Sequence, residues 1–277
     1  MKSLKQTYLQ EGYLHIPNFF DFDLINSLLF DSKSIFLNIF LSKKYTGIRD
    51  VKELNENEFN KLLYKLFSDD VSLVSNCGKQ IQHLISLHKL SLNDKIIELL
   101  KEMGIQKPNI STRPVLFFNH PKLAKEKFYY KVDAHQDWRS MQGSLNSIVI
   151  WVPLTDINKD LGALEIIPRS HMRGLITDHF QSGFGMVNPN SYNFNEFKTI
   201  EVKLGDILIF SSFLIHQSGE NITDRPRWSC HFRYNDLYDH TFIERGYPHS
   251  YIYKPIEELI TPNFPDKNDI INTFKHD

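Results

Sequence analysis

Apolar and polar residues alternate in two different textures along the chain. From Met1 to about Leu100, apolar residues return every third or fourth position within runs separated by charged breaks, which is the spacing of a helix with one apolar face. Helices are predicted at Phe22 to Ile39, Glu58 to Phe67 and Asn93 to Lys101. Tyr13 to Phe20 reads as a short strand and turn, because Pro17 denies a helix interior and its neighbours are aromatic or branched. From about Val115 the pattern shortens to runs rich in Val, Ile, Phe, Tyr and Trp, cut by Gly, Pro, Asn and Asp. Strands are predicted at Arg113 to Asn119, Ser147 to Leu154, Ala163 to Pro168, Lys198 to Val202, Asp206 to Phe210 and Arg227 to Tyr234. Short strands so spaced build a double-sheet barrel or sandwich with helices packed outside, an α+β fold.

Composition adds limits. At 277 residues, 41% apolar and 23% charged, the chain has the balance of a globular protein with a real core. A single domain is expected over 1–277, with a helix-rich part over 1–110, a β-rich core over about 111–236 and a C-terminal extension over 237–277. Lys plus Arg number 32 against 33 Asp plus Glu, so the basic excess of a nucleic-acid binder is missing. Cys77 and Cys230 lie far apart with no partner at metal-ligand spacing, which fits a reducing compartment and neither a disulfide framework nor a zinc cluster. The first twenty residues carry polar groups every few positions and offer neither a signal-peptide core nor an unbroken membrane-length run. The expected setting is cytoplasmic, without a membrane partner.

The candidate chemistry sits in two places. Val132-Asp133-Ala134-His135-Gln136-Asp137-Trp138 holds an imidazole and a carboxylate two residues apart. On an extended segment such a pair projects to one face, so one strand end can give a metal two ligands. Leu214-Ile215-His216-Gln217-Ser218-Gly219 follows, fed by the Gly205-Asp206 turn and the apolar run to Phe210. His216 would complete a 2-His-1-carboxylate face, which suits Fe(II) and leaves three positions open. One H-x-D pair among 12 histidines arises easily by chance, and each residue taken singly is as well explained as a packed polar group. Arg227, eleven residues after His216 on the next strand, adds weight. A guanidinium grips a carboxylate by two parallel hydrogen bonds, as the distal end of 2-oxoglutarate would require.

With these residues in view, the sequence resembles the phytanoyl-CoA dioxygenase family of Fe(II)/2-oxoglutarate oxygenases. The resemblance runs through Gly12-Tyr13-Leu14-His15-Ile16-Pro17-Asn18-Phe19-Phe20, His135-Gln136-Asp137, Trp151-Val152-Pro153-Leu154, Gly162 to His171, and His216 to Asn221 with Arg227. Arg169 stands where the family has glycine, so that turn departs from the pattern. The resemblance implies a double-stranded β-helix (jelly-roll) core, with Fe(II) on His135, Asp137 and His216, and 2-oxoglutarate and O₂ as cosubstrates. It further implies Arg227 and Ser218 at the distal carboxylate of 2-oxoglutarate and Trp151 as a wall of its pocket. Asp137 fills the position a halide would need, which favours hydroxylation over halogenation.

The substrate side is read from position alone. If Arg227 points inward, period-two alternation puts Ser229, His231 and Arg233 on the same face and Trp228, Cys230 and Phe232 on the other. Arg233 is then either a grip for an anionic substrate or the partner of a nearby Asp. Trp138 and Arg139, with Gln142 and Asn146, follow the ligand pair and would line the substrate side; their plain alternative is a polar loop. Asn119 heads a segment to Lys131 that carries His120, Lys122, Lys125 and Lys127 against Glu126 alone, either a positively charged lid or a solvated face. His171 is expected to fix its turn, since a fourth ligand would close a needed open position. A small-molecule substrate, anionic in leaning, is the expectation, with oligomeric state open. The rival readings are an isomerase-type or binding barrel of the cupin kind, and a relative that has lost catalysis.

Overall fold

A computed structural model describes residues 3–123, 131–176, 178–181 and 184–248. In chain order the elements begin with α1 (Leu4–Glu11), β1 (Tyr13–Ile16), α2 (Phe22–Ser42), α3 (Glu56–Asp69), α4 (Val71–Ile81), α5 (Ile85–Ser91) and α6 (Asp94–Met103). The second half follows with β2 (Pro108–Asn119), α7 (Trp138–Met141), β3 (Ile148–Pro153), β4 (Leu164–Ile166), β5 (Asp178–Gln181) and β6 (Phe184–Val187). It closes with β7 (Lys198–Ile200), β8 (Ile207–Ser211), β9 (His216–Ser218), β10 (Arg227–Asp236) and α8 (His240–Glu244). A five-stranded antiparallel sheet runs β1-β8-β3-β10-β2, a three-stranded sheet runs β7-β4-β9, and β5 pairs with β6.

Strand alternation in the large sheet sorts its residues into two cores. Ile207, Ile209, Ile148, Ile150, Val152, Trp228, Cys230, Phe232, Leu116 and Phe118 face outward and pack with Ile25, Phe36, Phe40, Phe59, Leu63 and Leu100 of the helices. Val149, Trp151, Leu208 and Phe210 face the other way, against Leu164, Ile166 and Ile200 of the small sheet. The helical half therefore completes the core of the large sheet, and the space between the sheets is where strand ends can deliver polar groups. α2 is long and apolar enough to cross a membrane by length and composition. Its Ile25, Leu28, Phe36, Leu37 and Phe40 are instead buried in this core.

The predicted helices and strands appear with shifted ends. β2 begins at Pro108 rather than Arg113, and it carries Pro114 because the residue falls at a register shift on an edge strand, where no ladder N–H is needed. The buried amide of Gln82, just past α4, covers part of that edge: it accepts from Leu116 N–H (2.8 Å) and donates to Leu116 C=O (2.8 Å). α1, α4, α5 and the β5–β6 pair had no sequence forecast. In α4 the weak formers Val71, Ser72, Val74, Ser75 and Asn76 are held helical by burial of Val74, Cys77 and Ile81.

Two departures concern turns. Gly12 caps α1 with φ +81°, and a side chain there would collide with the ring of His171. His171 Nε2 donates to Leu9 C=O (3.0 Å), the turn-fixing role expected of it. Arg169 adopts φ +64°, the left-handed geometry that a glycine takes without strain. Its backbone N–H reaches Glu11 C=O (2.8 Å) and its guanidinium grips the Glu11 carboxylate, so the turn is tied to α1.

Asp236 joins the end of β10 to the start of β2. Its carboxylate accepts from the backbone N–H of Gln106 (2.8 Å), Lys107 (2.9 Å) and Tyr238 (3.0 Å), and from Asn146 Nδ2 (3.1 Å). Burial opposes its charge, but these bonds outweigh burial and hold its pKa below the usual carboxylate range. A depressed carboxyl adds stability above its unfolded pKa, near 4, and loses it as pH falls through the folded value. Asp236→Asn should therefore cost about 1–3 kcal/mol in urea unfolding at pH 7, with the gap to wild type closing below about pH 4. Equal stability at pH 7, or a gap that widens in acid, would show that the carboxylate does not hold the join.

Candidate metal centre

Two histidines from distant parts of the chain face each other because their backbones pair. His135 N–H donates to His216 C=O (3.0 Å) and His216 N–H to His135 C=O (3.2 Å), and the ring centroids stand 4.2 Å apart. Each Nδ1 is bonded to a carbonyl two residues back, Asp133 for His135 (2.8 Å) and Leu214 for His216 (3.0 Å). A carbonyl only accepts, so each Nδ1 carries the proton and each Nε2 keeps its lone pair.

Asp137 reaches the same point by a turn. The sequence reading put His135 and Asp137 on one extended segment; in the structure Asp137 is helical (φ −62°, ψ −26°) and leads into α7. Its N-terminal position in that turn swings the carboxylate back toward the two rings. One donor atom from each of His135, Asp137 and His216 lies within 4.8 Å of the others. Asp137 Oδ1 is 3.7 Å from His135 Nε2 and accepts from Arg233 Nη2 (3.0 Å), while Oδ2 is 3.9 Å from His216 Nε2, buried and without a hydrogen-bond partner.

The electrostatics suit a cation. Burial resists ionisation of Asp137, yet Arg233, His216 and His135 together hold its pKa well below the usual range. Burial and then the neighbouring His135 draw His216 down to about 3, so its ring is neutral. An ionised carboxylate oxygen without a hydrogen-bond partner among the described residues, beside two imidazoles whose Nδ1 bonds leave Nε2 facing inward, is the donor set a divalent transition metal takes. The residues present fit such an ion.

Arg227 and Ser218 lie at the far end of the same face. Arg227 is 1% exposed and has no carboxylate partner among the described residues; Nη1 donates to Gly162 C=O, Nη2 to Ser218 Oγ (3.2 Å), and Nε–H has no acceptor among them. Burial alone draws its pKa down to about 10, which leaves it charged. Gly162 (φ +81°) is needed there, since a Cβ would strike Gly219 C=O at 2.8 Å. Ser218 Oγ accepts from Arg227, so its own proton is left to donate. Trp151 is fully buried on the inner face of β3, opposite His231 in register.

The other sequence candidates divide. Arg233 pairs with Asp137, and Asn119 is buried at the end of β2 opposite Arg227. Trp138 stacks on Phe213 (5.3 Å between centroids), and Arg139 donates through Nη2 to Ile176 C=O, so both contribute to the wall of this loop. Gln142 bonds back to Arg139 C=O (3.2 Å). His120 packs at a tilt against Tyr64 (4.9 Å between centroids) and Lys122 lies over the Tyr64 ring (5.3 Å), while Lys125, Glu126 and Lys127 lie outside the described residues. Two surface clefts, lined by Tyr13 and Lys198 or by Asp156 and Arg225, sit away from this centre.

Sequence reasoning missed Gln136. Placed between the two ligands and facing away from them, it donates to Gly174 C=O (2.8 Å) and Phe213 C=O (2.6 Å) and accepts from Ile176 N–H (2.8 Å). Its place inside the H-x-D pair was the only signal, and alternation gave no reason for a polar residue on the far side.

Comparisons with known proteins now have a site to be set against. Residues 8–229 match the family model described as phytanoyl-CoA dioxygenase (PhyH). Phytanoyl-CoA dioxygenase 1 of Oryza sativa subsp. japonica is 30% identical over 200 residues, covering 69% of this chain and 63% of that protein. Methylphosphonate hydroxylase of Gimesia maris is 29% identical over 131 residues, covering 45% and 49%. The matched stretch thus spans less than two thirds of these relatives' own lengths. Among solved structures, the epimerase SnoN in complex with Fe3+, alpha ketoglutarate and nogalamycin RO aligns over 84% of this chain and 82% of its own, at 17% identity and a TM-score of 0.54. At that identity the likeness shows the fold, the jelly-roll core that the paired sheets build.

Gln136→Leu should cost about 1–3 kcal/mol, because it removes three part-buried hydrogen bonds, to Gly174 C=O, Phe213 C=O and Ile176 N–H. Hydrogen exchange at the Ile176 amide should rise with it; unchanged exchange there would mean that the loop beside the ligands is held by other contacts.

Proposed function

The chain belongs to the phytanoyl-CoA dioxygenase family, and on that premise we propose that it is an Fe(II)- and 2-oxoglutarate-dependent oxygenase that hydroxylates a small molecule, with His135, Asp137 and His216 as the metal ligands. The observation that carries the reading is the convergence of His135, Asp137 and His216 to within 4.8 Å of one another, with the buried Oδ2 of Asp137 left without a hydrogen-bond partner among the described residues. A buried Arg227 with no carboxylate partner among the described residues supports a dianionic cosubstrate. A relative that is by name a methylphosphonate hydroxylase agrees with a small anionic substrate.

A ferrous ion held there would supply oxygen activation, with 2-oxoglutarate as the reductant that leaves as succinate and CO₂ while the second oxygen atom enters the substrate. The chain's own contribution is placement. The Asp133 and Leu214 carbonyls fix both imidazole tautomers and aim both Nε2 atoms. Arg233 holds one oxygen of Asp137 and leaves the other for the ion. Arg227 and the Ser218 hydroxyl grip the distal carboxylate of 2-oxoglutarate by charge-assisted bonds, and Trp151 closes the pocket against water. A buried guanidinium lacking a counter-ion has no use in a purely structural barrel, where it would only cost stability.

Titrating the anaerobic protein with Fe(II) and 2-oxoglutarate should develop the visible charge-transfer band of an iron-bound keto acid, and His216→Ala should abolish the band together with metal uptake. A band that persists in His216→Ala would assign the ligand elsewhere, and no band in wild type would move the reading to a cupin-like or non-catalytic binder. Arg227→Ala should weaken 2-oxoglutarate about 10- to 100-fold with metal affinity little changed; an unaltered dissociation constant for 2-oxoglutarate would remove Arg227 from that role.

A further inference from the structure

The inner face of β10 narrows the class of the substrate. Past Arg227 it carries Ser229, His231 and Arg233, and each has a buried polar atom with no hydrogen-bond partner: Ser229 Oγ, His231 Nε2 and Arg233 Nε. Buried polar atoms are rarely left without partners, and three in alternate positions on one strand mark a place where something else binds. Arg233 gives one of its five N–H donors to Asp137, and its side chain is 15% exposed, beside His135 at 20%. These are the points where the centre meets solvent, whereas Asp137, His216 and Arg227 lie deeper.

A count of charge gives the sign. Among the described residues, the charged side chains along this face are the guanidinium ions of Arg227 and Arg233 and the carboxylate of Asp137. Two guanidinium ions thus stand against one carboxylate. A ferrous ion and dianionic 2-oxoglutarate would add two charges of each sign, so one positive charge stays uncompensated with both in place. Buried charges need a partner, and since the described residues offer no further carboxylate on this face, a bound molecule is the group to bring it.

Resting on the oxygenase reading above, we infer that Arg233, with His231 beside it, docks the acid group of a small singly charged substrate, a carboxylate or a phosphonate, and that the oxidised C–H lies close to that group. Closeness follows from Arg233 Nη2 being 3.0 Å from Asp137, itself one of the ligands in that reading. An acid group on this guanidinium leaves room for a carbon or two before the reacting position. A long-chain or uncharged substrate would leave the positive charge unanswered.

The test uses the anaerobic protein loaded with Fe(II) and 2-oxoglutarate, and reads its visible charge-transfer band. Methylphosphonate and straight-chain carboxylates of two to six carbons are titrated in, each carboxylate beside its neutral amide. At least one acid should shift the band saturably while its amide does not, and His231→Leu, which leaves the pair of Arg233 with Asp137 untouched, should weaken that response about 10-fold or more while keeping the band itself. Arg233→Lys should weaken the response further, read against whatever band that variant retains, since the same guanidinium holds Asp137. Acids and amides acting alike, or acids that only make the band fade by displacing 2-oxoglutarate, would overturn the inference while leaving the oxygenase reading intact. Absence of any band would overturn that reading, and this inference with it.

Discussion

The alternation of side chains along β10 is the constraint on which both halves of the molecule depend. Trp228, Cys230, Phe232 and Tyr234 go into the helical core, and Arg227, Ser229, His231 and Arg233 go toward the space between the sheets. A slip of one residue would drive two guanidinium ions into the helices and four large apolar groups into the site. Neighbours on both sides hold the register. Trp228 stacks on Phe118 (4.8 Å) and meets Phe36 edge-on (6.4 Å), while β3 and β2 pair along most of the strand's length. Packing on the outer face thereby fixes chemistry on the inner one.

Charge burial sets the terms on the inner face. Asp137 survives as a buried anion because the Arg233 guanidinium holds one of its oxygens at 3.0 Å, and burial keeps the His216 ring neutral beside it. The same low-polarity surroundings leave Arg227 charged with neutral acceptors only. A site with this balance is strained by its own electrostatics until cations and anions of the right number enter, and a folded protein tolerates that cost chiefly where binding relieves it.

Turns supply the last part of the placement. The pairing of His135 with His216 is a two-residue bridge, too short to form a strand of its own, and it is framed by the β6 side through Met186 and by Gln136 bonding across to Gly174, Phe213 and Ile176. On the opposite side Arg169, in a glycine-like conformation, fastens its turn to Glu11 of α1. The helical half is thus tied to the sheets at their backs by the apolar core and at their rim by this ion pair.

The chain's residues alone determined the two textures, the parity of β10 and the identity of the three converging side chains, since each rests on periodicity or on local motifs that travel with the sequence. The sequence also held Arg233 between two roles, and could not choose, because the choice depends on whether a carboxylate from another segment comes within bonding reach. Only the tertiary structure decided that Arg233 meets Asp137, that Asp137 arrives by a helical turn instead of an extended strand, and that α4 is helical despite its weak formers. These are matters of packing and of pairing between residues far apart in the chain, and long-range contacts override local preference wherever they bury more surface or satisfy more charge than the local alternative.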